Sequence, residues 1–72
     1  MCTVSCFISQ HDLKGVDVVG LYQTLKAIGY EVAVGNGFRV STTVRMNESK
    51  EHTKQELIID VECLLRRFKF SN

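Results

Sequence analysis

The segment Val32–Met46, VAVGNGFRVSTTVRM, constrains this chain more than any other. Two alternating runs flank Gly35-Asn36-Gly37, the pattern of two strands joined by a tight turn. Side chains on a strand alternate between faces, so the turn fixes a register and the register sorts residues. Tyr30, Val32 and Val34 share one face of the first strand, and Phe38, Val40, Thr42, Val44 and Met46 share the same face of the second. Glu31, Ala33, Arg39, Ser41, Thr43 and Arg45 point the other way. A slip of one residue would exchange the two sets, so the apolar set defines the buried side.

The remaining elements follow from periodicity. Thr3–Gln10 (TVSCFISQ) reads as a strand, with Val4, Cys6 and Ile8 on one face and Thr3, Ser5, Phe7 and Ser9 on the other. After a turn over His11–Gly15, Val18, Leu21, Leu25 and Ile28 recur at helical spacing, with Asp17 as the N-cap and Gly29 at the left-handed C-terminal position. Gly20, inside that helix, costs about 1 kcal/mol relative to Ala and implies close packing, expected against the sheet. Asn47–His52 reads as a polar connector. Thr53-Lys54-Gln55-Glu56 matches a capping box, opening a second helix with the apolar stripe Leu57, Ile58, Val61, Leu64, Leu65 and Phe68. Phe70–Asn72 is expected to fray, with Phe68-Lys69-Phe70 as a short fourth strand the alternative.

The order β-α-β-β-α predicts an α+β fold, a two-layer sandwich spanning residues 1–72 as a single domain. A right-handed β-α-β crossover and an antiparallel hairpin place the third strand between the first and second. The result is a three-stranded sheet of order 1-3-2 with both helices on one face, ferredoxin-like without its last strand. One sheet face and the outer edge of Thr3–Ser9 are then left uncovered.

With 72 residues the core is small, about 12–15 apolar side chains, which favours added stabilisation such as a homodimer through strand Thr3–Ser9. A net charge of +1 excludes nucleic-acid binding driven by overall charge and leaves only a local patch. The first ten residues lack a signal-peptide pattern and no run approaches a membrane span, so no membrane partner and a cytoplasmic location with reduced thiols are expected.

The candidate site is the bare sheet face: Ser5, Phe7, Arg39, Ser41, Thr43 and Arg45. An aromatic flanked by arginines on an open sheet is how RNA-binding modules stack bases and hold phosphates. A solvated face and a protein-contact face are the competing readings. No catalytic residue is assigned. His11, Asp12 and Asp17, or His52 with Glu51, contain the groups of an acid–base pair, but loops preceding helices collect such residues for turns and caps. Cys2, Cys6, Cys63 and His11 lack the paired spacing of a zinc site, so neither a metal nor any other cofactor is expected. Cys63, with Ile59 on the flank of the second helix, is read as structural. Gly35-Asn36-Gly37 lacks the following helix and Lys-Ser/Thr of a phosphate loop.

These residues favour a small non-catalytic regulatory or inhibitory protein. It would bind a larger protein partner through its sheet face or edge. The strand containing Val4-Ser5 and Phe7, the helix ending Leu-Lys-Ala-Ile-Gly-Tyr and the run Phe38-Arg39-Val40-Ser41-Thr42-Thr43 also give the chain a layout that resembles the GhoS-type family of ferredoxin-like endoribonuclease antitoxins. That resemblance implies an RNA-processing role as the alternative, an RNA-binding protein or metal-independent endoribonuclease, and carries over no functional residue.

Overall fold

The computed structural model describes residues 2–70. Its elements are β1 (Thr3–Ser9), α1 (Val18–Ile28), β2 (Glu31–Val34), β3 (Gly37–Thr43) and α2 (Lys50–Arg67). The sheet is antiparallel throughout, in the order β1-β3-β2. This is the expected β-α-β-β-α architecture. Cys6 and Val32 both lie opposite Val40, and Ile8 and Val34 both lie opposite Phe38. The helix-facing row is therefore continuous across the strands. Val4, Ile8, Phe38, Val40 and Val44 meet Leu21 and Leu25 of α1 and Leu57, Val61 and Leu64 of α2 in one core. α2 packs over β1 and α1 over β2.

Both ends of α1 are held as its residues predict. Asp17 accepts a hydrogen bond from the Gly20 N–H at 3.1 Å, and Gly29 closes the helix at φ 118°. The stripe itself is narrower than expected. Leu21 and Leu25 are buried, whereas Val18 and Ile28 at the two ends are exposed. Val16, just before the helix, takes up a core position instead.

Gly20 packs closely, but against α2 rather than the sheet. A β-carbon there would lie 2.9 Å from the Phe68 ring and 2.7 Å from the Asp17 carboxylate. Phe68 comes so near because its carbonyl accepts the Asp17 N–H at 2.8 Å, while the Phe70 N–H donates to Gly15. Phe68–Phe70 thus forms one antiparallel bridge, Val16 to Lys69, outside the sheet. It makes no fourth sheet strand, and Phe70 is tied down rather than frayed. Ser71 and Asn72 lie outside the described residues.

α2 begins one turn earlier than the capping-box pattern suggests. Ser49 is the N-cap, its hydroxyl accepting the His52 N–H at 3.1 Å. Thr53 lies inside the helix, buried, and its hydroxyl donates back to the Ser49 carbonyl at 3.0 Å. Ile58 falls at the margin of the buried stripe, more exposed than Leu57 and Val61. β3 ends at Thr43, although Val44 still donates to the Cys2 carbonyl at 2.7 Å. Beyond that point the alternation lapses, and Met46, expected on the core face, is 99% exposed.

Candidate functional site

The helix-free face is built by three cross-strand rows. Phe7, Arg39 and Ala33 form one, Ser5, Ser41 and Glu31 the next, and Thr3 with Thr43 the last. Directly opposed residues on one face are close enough to act together. Phe7 and Arg39 are therefore neighbours, as the parity implies, and both are exposed. Ser5 and Ser41 are half-buried beside them, and Thr43 is exposed at the far end.

Arg45 is separate from this group. It lies beyond the end of β3, six residues past Arg39, roughly 20 Å along an extended chain. There it lines a polar cleft of about 470 Å³ with Ile28, Tyr30, Glu48 and Glu56. The two arginines do not flank Phe7 as a pair. Glu31, on the same face, places a carboxylate one row from Arg39, so the charge of the face is mixed.

Phe7 also has a structural task. Its ring tip lies 3.0 Å from where a β-carbon on Gly37 would stand, so the aromatic covers the glycine that starts β3. Phe7, Ala33, Val34 and Arg39 then border a shallow depression of about 170 Å³.

The edge of β1 carries the second feature. Hydrogen-bonded and non-hydrogen-bonded pairs alternate along an antiparallel ladder. The bond from Val44 to the Cys2 carbonyl fixes the phase. Main-chain groups of Cys2, Val4, Cys6 and Ile8 face β3, and those of Thr3, Ser5 and Phe7 face outward. The ammonium of Lys54, from the second turn of α2, donates to the outward carbonyl of Ser5. Thr3, Val4 and Ser5 line a groove of about 590 Å³ against Lys50, Glu51, Lys54 and Gln55. Sequence reasoning missed Lys54. The contact spans 49 positions, and the only local hint is that Lys50 and Lys54 stand one helical turn apart.

The polar groups considered for chemistry have local partners. Ser9 and Asp12 bond reciprocally, hydroxyl to carboxylate at 3.0 Å and N–H to hydroxyl at 3.1 Å, closing the turn after β1. Asp17 caps α1. His11 follows one end of β1, while His52 lies on the first turn of α2 near the other, paired with Glu56 at 3.7 Å. The two histidines are not brought together. Among the described residues no three His, Cys, Asp or Glu side chains gather as a metal site requires. Cys2, Cys6 and Cys63 are free thiols. Burial pushes the Cys6 thiol above its ordinary range, with nearby Lys54 opposing the shift and Glu62 adding to it.

Tyr30 and Asp60 form another long-range polar contact, the phenol donating to the carboxylate at 2.5 Å. Burial, this bond, and the charges of Asp60 and Glu56 all raise the Tyr30 pKa well above its ordinary value of 10. The contact joins the entry of β2 to α2, and it is structural in character.

No helix among the described residues is long and apolar enough to cross a membrane. The features assembled here, a helix-free sheet face adjoining an unpaired strand edge, define a class of small α+β proteins with an open sheet. Compared with known protein families, curated proteins and solved structures, the chain matches none.

Proposed function

We propose that this protein is a small non-catalytic regulatory or inhibitory module that binds a larger protein partner through β1 and the adjoining sheet face. The observation carrying this reading is the outer edge of β1. A seven-residue strand turns its main-chain groups outward at every second position, with Phe7 and Ser5 on the contiguous helix-free face. Strand addition to such an edge draws affinity from main-chain hydrogen bonds and specificity from alternate side chains. The dispersal of His11 and His52 lends no support to acid–base catalysis.

Ser5→Pro tests the reading. It removes one outward N–H while leaving the bonds to β3 in place, and edge strands tolerate proline in that position. The expected result is a folded variant with unchanged far-ultraviolet circular dichroism that no longer captures the partner retained by the wild-type chain. Capture unaffected by Ser5→Pro would refute it.

RNA binding is the second reading, favoured by the exposed cross-strand pair of Phe7 and Arg39. It predicts that a single-stranded RNA binds at low salt and that Arg39→Ala abolishes the binding. No RNA affinity at low salt would eliminate it.

A further inference from the structure

The β1 edge has a chemical preference as well as a free ladder. We infer that it accepts an extended segment of a partner protein bearing an acidic side chain opposite Val4, on the helix side of the sheet, and that Lys54 reads that carboxylate. The inference rests on the edge-binding reading above and adds to it the chemistry of the partner.

Charge complementarity carries the argument. The groove beside β1 has two ammonium groups, Lys50 and Lys54, against the single carboxylate of Glu51. Lys54 donates to the Ser5 carbonyl, the acceptor for which an incoming strand's backbone N–H competes. An incoming strand supplies a backbone N–H in its place. The displaced ammonium then stays at the rim of the groove, next to side chains of the added strand. A carboxylate at that point gives Lys54 a charge-assisted partner, whereas a neutral or basic residue leaves it facing nothing or a like charge.

The same geometry weighs against a second copy of this chain as the occupant. Pairing β1 with its own image about a two-fold axis near Ser5 would bring two Lys54 ammonium groups together at the axis. Each would have lost its carbonyl acceptor to the other copy's main chain. Lysine on a free edge is a recognised device against edge-to-edge association. Here it excludes the like strand and admits the acidic one.

The test uses the isotope-labelled 72-residue chain titrated with three eight-residue peptides of alternating Thr and Val. The peptides differ only in whether two central positions hold Glu, Gln or Lys. The expected result is at least tenfold tighter binding of the Glu peptide than of the Gln peptide, with the Lys peptide weakest. The amides of Thr3, Ser5 and Phe7 should shift and gain protection from exchange, and the Glu advantage should shrink with added salt and vanish in Lys54→Gln. The peptide series on the wild-type protein stands even if that variant misfolds. Equal binding of all three peptides at these amides would overturn the acidic preference and leave the edge reading intact. Absence of any change at Thr3, Ser5 and Phe7 would overturn both. Protection of the same amides in a peptide-free dimer, seen by sedimentation, would make the occupant a second copy and overturn the acidic strand.

Discussion

Gly37→Ala is the sharpest perturbation the fold offers. Gly37 begins β3 at φ 151°, in a region that side chains rarely adopt. A β-carbon there would stand 2.2 Å from the carbonyl oxygen of Ile8 and 3.0 Å from the Phe7 ring. Ordinary contact needs roughly 3.5 Å, so β1 must recede by about an ångström or β3 must rotate. Rotation alone moves the residue out of its present φ, at about 1–3 kcal/mol of backbone strain if it stays. Recession sacrifices one or two ladder bonds at about 1 kcal/mol each. Together these give about 2–5 kcal/mol, a large part of the roughly 4–11 kcal/mol expected for a chain of this size. Gly35, two residues earlier in the same turn, has nothing within 4 Å of its would-be β-carbon and serves as the control. Urea denaturation followed by circular dichroism should show Gly37→Ala losing about 2–5 kcal/mol of its stability. Gly35→Ala should stay within about 0.5 kcal/mol of the wild type. Equal, small losses at both positions would refute the close approach of β1 to β3 at Ile8.

Gly20→Ala should destabilise by about 1–2 kcal/mol despite the gain of about 1 kcal/mol in helix propensity, because the methyl group meets Phe68 and the capping Asp17 carboxylate; a stabilised variant in thermal melts would refute that packing. Leu57→Ala, at a fully buried position between α2 and the sheet, should cost about 2–5 kcal/mol by the same assay, and a loss below 1 kcal/mol would contradict its place in the core. Tyr30→Phe should lose about 1 kcal/mol at neutral pH with its bond to Asp60. Because the folded state raises the Tyr30 pKa, the stability it contributes is intact below pH 10 and declines as the pH rises further. The alkaline loss of stability should therefore be shallower in Tyr30→Phe, and parallel curves would refute the assignment. Lys54→Ala should increase self-association in sedimentation velocity, since it removes the ammonium that holds the outward Ser5 carbonyl of the β1 edge; a variant as monomeric as the wild type would show that Lys54 does not guard it.

What the sequence discloses here follows the range of the interactions involved. The alternation through Val32–Val40 and Val4–Ile8 specifies the register because a slip would bury Arg39 and expose Val40. The structure pairs these residues accordingly. Asp17 and Gly29 are readable because a helix end is satisfied within four residues. The same locality misleads at α2, where two cap candidates stand four positions apart. Thr53 has the better-looking pattern, yet Ser49 starts the helix and Thr53 lies buried inside it, its hydroxyl donating to the Ser49 carbonyl. Strand parity fails for Met46 and Arg45 because it holds only while the ladder continues, and nothing local to Thr43 announces its end. Contacts such as Tyr30 with Asp60, Phe68 with Gly20 and Lys54 with Ser5 depend on how α2 crosses the sheet. No pattern within a window of a few residues contains that crossing.

The two candidate surfaces are not equal once these contacts are known. Phe7 is 59% exposed, which alone would mark it for a ligand, yet its ring tip lies against Gly37, 3.0 Å from where a β-carbon would stand. Packing accounts for it without a ligand. Arg39 loses its expected companion in Arg45 and gains a carboxylate neighbour in Glu31, so the face offers little net attraction for a polyanion. Lys54 differs from both. Holding an outward carbonyl brings only a modest stability gain at a half-exposed site, but it controls what can pair with β1. α2 completes the core from above with Leu57 and Val61 and, from the turn before them, extends Lys54 over the edge. A partner strand must therefore satisfy the ladder and the ammonium together, a more selective requirement than the helix-free face imposes.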